Sequence, residues 1–357
     1  MGAAGATLGE YTEKQLSNLC DSVGIADSTP LAMLAKLLGK ENSRPLSMVP
    51  AWPSDVADDH TPAEFSLAVD NSGRCRIRML GETPPSGGSS LDPGAAVALL
   101  EELAETYGLP LDRFNAVRDL FLPEDPSGQF TLWFSFIFAP DGPPAIKVYL
   151  NPLVSGRERS GELVAEGLSR LGLTGAYDTI RENALLRGEL DQFTFFAVDI
   201  SDSPQARVKV YLSHHAATAE AAARAAKAVP GVDPQQVIDF CRHTGGDADY
   251  FEGRPLISSY AFSGDDTAIP SNYSIYVPIR SYVPDDEVAR ERVWRALRHQ
   301  GLDTAIFEQA LSAVAPRPLG DGAGLLAHTS LRIGGSHSGV TLYLSSEAYQ
   351  SPSYPPR

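Results

Sequence analysis

"RVKVYLSHH", Arg207 to His215, sets aliphatic Val208, Val210 and Leu212 against Arg207, Lys209 and Tyr211. Such period-two alternation predicts a strand with one buried face. A strand facing bulk water rarely gathers two cations and a tyrosine on three successive positions of one face. The polar face points at something more specific, and the rest of the chain indicates what.

The same alternation recurs in hairpin pairs. Strands are expected over 64–69 and 74–80, 130–138 and 144–150, 191–200 and 206–213, 254–263 and 272–279, and 325–333 and 339–345. Turn sequences such as Asp70-Asn71-Ser72-Gly73 join the two members of a pair. Between the pairs, apolar residues at three- and four-residue spacing predict helices over 11–22, 30–40, 93–107, 157–171, 174–184, 216–228, 233–244, 285–300 and 303–314. The order is helix, helix, strand, strand, five times over.

Five hairpins give ten antiparallel strands, and closure removes the two edges that an open sheet would expose. The expected fold class is α+β: a ten-stranded antiparallel β-barrel with a central solvent-filled lumen, surrounded by a ring of α-helices. One unit is expected over 1–357, with its core at about 10–349, because no hairpin would be stable alone. Aliphatic faces should meet the helices and polar faces should line the lumen.

The lumen faces then carry the chemistry. Lys147 and Tyr149 share one face, as do Ser274 and Tyr276, and Thr341 and Tyr343. Arg76 and Arg78 share another, and Ser330 and Arg332 another. One Lys-x-Tyr pair would suit any exposed strand; four tyrosines at the same place in four hairpins are specific. Clustered cations in a dehydrated cavity need a counter-ion. No acidic cluster is read on the same faces, so a ligand is expected to supply it, and a diphosphate fits arginine forks and lysine ammoniums. Tyrosine rings above it can stabilise an allyl cation and shield it from water. Glu64, on a lumen face of the first strand, can accept an indole or phenol proton. Trp133, Phe134, Phe136 and Phe195 could pack an aromatic acceptor.

These residues resemble a known family. "KVYLNP" (147–152), "RVKVYLS" (207–213), "NYSIYVPI" (272–279) and "TLYLSSEAY" (341–349) are similar to motifs of the dimethylallyltryptophan-synthase-type aromatic prenyltransferases, in a bacterial-like form. The ααββ repeat is similar to their ABBA, or prenyltransferase, barrel. The resemblance implies transfer of a dimethylallyl group from its diphosphate to the indole ring of tryptophan or a tryptophan-derived metabolite. It implies no required cofactor and no metal.

By position it makes Glu64 the catalytic glutamate at the indole N–H, and Lys147, Arg207 and Lys209 the diphosphate-binding cations. Arg78 and Arg332 join them, with Arg76 a rival for Arg78. Tyr149, Tyr211, Tyr276 and Tyr343 form the tyrosine shield, and Trp133 and Phe195 belong to the acceptor pocket. One departure stands out. Some fungal members hold the tryptophan carboxylate with an arginine on the first strand of the third hairpin, and Asp191 to Ile200 has none. The acceptor either lacks a free carboxylate or is held elsewhere. A phenolic acceptor, or a non-catalytic barrel that binds an anion, are the alternative readings.

Composition narrows the partners. A net charge of −16 disfavours general nucleic-acid binding. No apolar stretch is long enough to span a membrane and no secretory signal is read at the N-terminus. Cys20, Cys75 and Cys241 are widely spaced, which suits a reducing compartment. A cytoplasmic monomer or homodimer is expected. His214-His215 is read as a solvent-exposed pair, and "GDDTA" (264–268) and "PDDEVARE" (284–291) as a hairpin loop and a helix N-terminus, not as metal-binding aspartate motifs.

Overall fold

In the computed structural model, residues 5–349 are described, except 88, 247, 265, 336 and 337. Ten antiparallel strands close into a barrel in which each strand pairs with its chain neighbours and the first pairs with the last. The strands are β1 (Ala63–Asp70), β2 (Cys75–Gly81), β3 (Leu132–Phe138), β4 (Ala145–Leu150), β5 (Asp191–Asp199), β6 (Val208–His214), β7 (Leu256–Phe262), β8 (Asn272–Val277), β9 (Leu326–Ile333) and β10 (Gly339–Ser345).

Helices precede each hairpin. They are α1 (Leu8–Ser22) and α2 (Thr29–Leu38), then α3 (Gly94–Tyr107) with two single-turn helices, α4 (Asp112–Asn115) and α5 (Arg118–Phe121). Next come α6 (Ser160–Arg170) and α7 (Ala176–Ala184), then α8 (Ala219–Ala225) and α9 (Pro234–Gly245), and finally α10 (Asp286–His299) and α11 (Ala305–Val314). The second repeat thus departs from the expected scheme, because the segment after α3 folds as two short turns. Among the described residues no helix is long and apolar enough to cross a membrane.

Alternation decides which way each strand faces. Phe65, Leu67, Phe134, Phe136, Val208, Val210 and Leu212 are fully buried in the core between sheet and helices. Their sequence neighbours point inward. Helix starts are fixed locally: Thr7 and Glu10 form a reciprocal capping box on α1, and Asp285 accepts from the Val288 N–H at the start of α10. The next residue, Asp286, is wholly buried. It accepts from the backbone N–H groups of Gly324, Leu325 and Leu326 and from Arg317, tying α10 to the entry of β9. "PDDEVARE" is therefore a helix N-terminus, as expected.

The barrel seam pairs β1 with β10 from Glu64 opposite Ser345 to Asp70 opposite Gly339. At Gly339 the strands approach so closely that a Cβ would lie 2.6 Å from the Val69 carbonyl oxygen. Outside the seam, Gln15 of α1 donates to the carbonyls of Val314 and Ser346, so the helical ring closes where the sheet does.

The strand directions put two ends on the lumen. One end has the hairpin turns 71–74, 139–144, 200–207, 263–271 and 334–338. The other has the starts of β1, β3, β5, β7 and β9, where the helical segments enter.

Candidate active site

At the hairpin end, inward positions converge on a cavity lined by Arg76, Arg78, Lys147, Arg207, Lys209 and Arg332. These cations come from β2, β4, the turn before β6, β6 itself and β9. Arg76 and Arg78 both reach it, so the two rivals read from the sequence share the site. One acid lines it and another stands beside it, contrary to the expected lack of acids on these faces. Asp199 lies opposite Lys147 on the neighbouring strand, and its Oδ2 accepts from Arg207 Nε at 2.8 Å. Asp70 lines the cavity, but its carboxylate is held by Ser72 and by Arg74 at 3.1 Å.

The electrostatics follow from burial. Desolvation, then Arg207 and Arg78, pull the Lys147 ammonium down to about 7, against the opposing pull of Asp199. Lys209 is pushed well below the lysine range by burial and by Lys147, Arg207 and Arg78. Arg332 is drawn to about 10 by burial and its arginine neighbours, and so stays charged at neutral pH. Asp199 is also penalised by burial, but Arg207 and Lys147 outweigh this and hold it below the usual carboxylate range. The Nε of Arg78 is buried and makes no hydrogen bond among the described residues. Asp199 beside the cavity and Asp70, already held by Arg74, do not balance this positive charge, and a polyanion would.

Above the cations lies a belt of tyrosines. Ring centroids are 5.6 Å apart for Tyr149 and Tyr211, 5.8 Å for Tyr211 and Tyr276, and 5.9 Å for Tyr276 and Tyr343. These rings stand on β4, β6, β8 and β10, that is, on alternate strands. Contact across the intervening strands is possible because those strands present small residues: Ala197 opposite Tyr149, Ser259 opposite Tyr211, and Ser330 opposite Tyr276. Lys147 Nζ sits 5.4 Å from the Tyr149 ring centre and Lys209 Nζ 5.2 Å from that of Tyr211. The belt and the cations therefore form one continuous surface. Burial raises the phenols, Tyr149 to about 12, so they remain neutral donors with intact ring faces.

At the far end is Glu64, 5% exposed. Burial pushes its carboxyl up to about 7, with Arg280 and Arg254 pulling down and Asp58 pushing up. Beside it Phe130, Trp133 and Phe195 form an aromatic cluster, with Phe130 and Trp133 stacked at 4.2 Å and Val56 packed over them. Trp133 and Phe195 lie together on the lumen side of the wall. Phe134 and Phe136 do not join them: they stack on each other at 5.5 Å in the outer core, since successive strand residues point to opposite faces.

His214 also departs from expectation. It is buried, with Nδ1 2.7 Å from Asp191 Oδ1 and Nε2 2.9 Å from Ser258 Oγ, which in turn meets the Tyr273 hydroxyl at 2.7 Å. The arrangement resembles a hydrolytic triad, but it is sealed inside the barrel wall. Only His215 is exposed. "GDDTA" lies in the turn between β7 and β8, with residue 265 outside the described residues.

Sequence reasoning missed several groups at the Glu64 end. Glu82, just past β2, is buried and accepts from Trp52 Nε1 at 3.0 Å. His328 of β9 faces Tyr343, with ring centroids 6.2 Å apart. Arg254, Arg280 and Asp58 make an ionic cluster from three loops. Only Glu82 and His328 had a usable signal, being one strand period beyond Leu80 and before Ser330.

The sequence matches the model of the tryptophan dimethylallyltransferase family over residues 32–227. The chain belongs to the tryptophan dimethylallyltransferase family. A crystal structure of 6-dimethylallyltryptophan synthase from Micromonospora olivasterospora, in complex with DMASPP and Trp, is 47% identical. It superposes with a TM-score of 0.93 over 97% of this chain and 99% of that one. The crystal structure of 5-dimethylallyltryptophan synthase from Streptomyces coelicolor is 36% identical, with a TM-score of 0.89 over 97% of this chain and 99% of that one. Deoxybrevianamide E synthase of Aspergillus versicolor is 26% identical over 189 residues, 46% of this chain; the match spans less than half, 43%, of that relative. As a tryptophan dimethylallyltransferase family member, the chain has the fold and the class of reaction, prenyl transfer, that its motifs imply.

Proposed function

We propose that this protein moves a dimethylallyl group from dimethylallyl diphosphate to the benzenoid ring of free tryptophan, at C6, releasing diphosphate. The observation that carries the reading is the polarity of the lumen. A cation nest stands at one end, a tyrosine belt in the middle and a buried carboxylate with an aromatic cluster at the other. Its similarity to the 6-dimethylallyltryptophan synthase, higher than to the 5-dimethylallyltryptophan synthase, supports the ring position.

Each part has a task in that reaction. Lys147, Arg207 and Lys209, with Arg78, Arg76 and Arg332, receive the diphosphate. As the C–O bond breaks, its electron pair leaves on the diphosphate, and these groups stabilise the growing charge without a metal ion. The allyl cation is held against Tyr149, Tyr211, Tyr276 and Tyr343, whose faces favour positive charge and whose packing excludes water. The indole ring, packed on Trp133 and Phe195, attacks the cation. Glu64 accepts the indole N–H hydrogen bond, which strengthens as positive charge reaches the nitrogen. The proton on the attacked ring carbon then passes to the released diphosphate, which restores the aromatic ring. The aromatic acceptor and the allylic diphosphate are the partners, and the protein acts in the cytoplasm.

The test is an incubation with dimethylallyl diphosphate, tryptophan and EDTA. Tryptophan should gain one dimethylallyl group, at C6 by NMR. Transfer to a phenol but to no indole would contradict the reading. So would donor binding with no transfer, or transfer abolished by EDTA and restored by magnesium.

A further inference from the structure

We propose that Asp199 is a positioning residue of the cation nest: it aims the Arg207 guanidinium into the cavity and supplies Lys147 with a counter-charge until the diphosphate arrives. This rests on the reading above that the nest receives a diphosphate. An acid beside an anion site needs a reason, because by charge alone it repels the ligand. The geometry around Asp199 supplies one.

Asp199 ends β5 and Arg207 stands just before β6, so the two meet where the hairpin closes. Their backbones are joined: the Asp199 N–H donates to the Arg207 carbonyl, and the Arg207 N–H to Asp199 Oδ2, each at 3.0 Å. The side chains meet as well. Oδ2 accepts from Arg207 Nε at 2.8 Å, and Oδ1 lies 3.5 Å from Nη2. The carboxylate therefore takes the Nε edge of the guanidinium. Nη1 has no partner among the described residues, and Arg207 lines the cavity. The end of the fork is left for a phosphate, and the long side chain is held in one orientation before the ligand comes. Asp199 itself stands beside the cavity, so the guanidinium it holds screens an incoming anion from the acid.

The second task concerns Lys147, which lies opposite Asp199 across β4 and β5. Lys147 is buried. Burial, Arg207 of the neighbouring hairpin and Arg78 of β2 all disfavour its charge, and among the described residues Asp199 is the group that favours it. Lys209 of β6 is in the same position: burial, Lys147, Arg207 and Arg78 act against its charge, and Asp199 for it. Arg113 of α4 is a further cation that senses Asp199, from the helical side of the wall. Without the acid, Lys147 would give up its proton at a lower pH. A diphosphate arriving at neutral pH would then have to recruit that proton as it bound.

Titration calorimetry with inorganic pyrophosphate tests this and needs no turnover. Wild type, Asp199→Asn and Asp199→Glu are compared at about pH 8 and about pH 6. Taking the ratio to wild type at each pH removes the titration of pyrophosphate itself. Positioning predicts that Asp199→Asn binds about 5–30-fold more weakly at pH 8 and within about threefold of wild type at pH 6, where Lys147 is recharged. It also predicts a larger proton uptake by Asp199→Asn at about pH 7, and partial recovery in Asp199→Glu. Tighter binding by Asp199→Asn would mark the acid as a simple repeller and overturn the proposal. So would no change, or an equal loss at both pH values with unchanged proton uptake, which is what a purely structural role produces. A wild type that binds no pyrophosphate would refute the anion site and the proposal together. Transfer assays on the same samples report separately on the proposed reaction: pyrophosphate binding with the Asp199 signature but no prenylation of any indole would refute the reaction and keep the positioning role.

Discussion

Glu64 is the residue on which the proposed chemistry turns. Glu64→Gln keeps the shape and removes the charge, so kcat should fall about 10²–10³-fold with donor affinity retained. Steady-state kinetics check this, and unchanged kcat would remove the base. The wild-type pH profile should show the same group. The carboxyl is raised to about 7 in the free protein, so kcat/KM should fall as pH drops below about 7, where the base is protonated. Stability carries the opposite sign. The folded form holds the proton more tightly than the unfolded chain, so Glu64 costs nothing below the ordinary carboxylate range and an increasing amount as pH rises towards about 7. Glu64→Gln should therefore be more stable than wild type at pH 8 by roughly 1–3 kcal/mol, and the gain should vanish near pH 4. Denaturant melts at the two pH values measure this difference.

At the scale of single strands, alternation made much of the site legible. Four Lys/Ser/Thr-x-Tyr faces in register announced the belt, and the structure places those tyrosines in ring contact. What alternation hid has physical causes. Asp199 is on the lumen face with Phe195 and Ala197, but the register of β5 against β6 shifts between Phe193 and Phe195. A face counted from Asp191 therefore comes out inverted past the shift. Phe134 and Phe136 adjoin Trp133 in the chain, but one step along a strand crosses the wall. Arg254, Arg280 and Asp58 lie in loops, where no period applies. A prediction belongs to β4 and β6 together: Lys147 and Lys209 are depressed by burial and mutual repulsion in the free protein. A diphosphate would restore their charge, so donor binding at about pH 8 should take up protons, and at about pH 6 it should take up fewer. Calorimetry in buffers of different ionisation enthalpy reads the uptake. Proton-neutral binding at both pH values would show that these lysines do not meet the diphosphate. Lys209→Ala should weaken donor binding about 10–100-fold.

Across the whole molecule, the five-fold repeat implied closure before any motif was read, because ten antiparallel strands in order leave two edges that only each other can cover. The repeat could not show that the second helix of the second unit breaks into two turns, nor that the seam depends on a glycine. Gly339→Val should place side-chain atoms against the Val69 carbonyl and Asp70 backbone, neither of which can rotate away. A loss of roughly 1–3 kcal/mol is expected in thermal or denaturant melts. Closure also aligns the two ends of the lumen, with the proposed diphosphate site at the hairpin turns and the proposed acceptor site at the strand starts. The measurement that tests this polarity most directly is a crystal structure with dimethylallyl thiolodiphosphate and tryptophan bound together. The account predicts phosphate oxygens on Lys147, Arg207 and Lys209, the allyl chain inside the tyrosine belt, and the indole N–H on Glu64. A diphosphate found at the Glu64 end, or an indole away from Glu64, would contradict it.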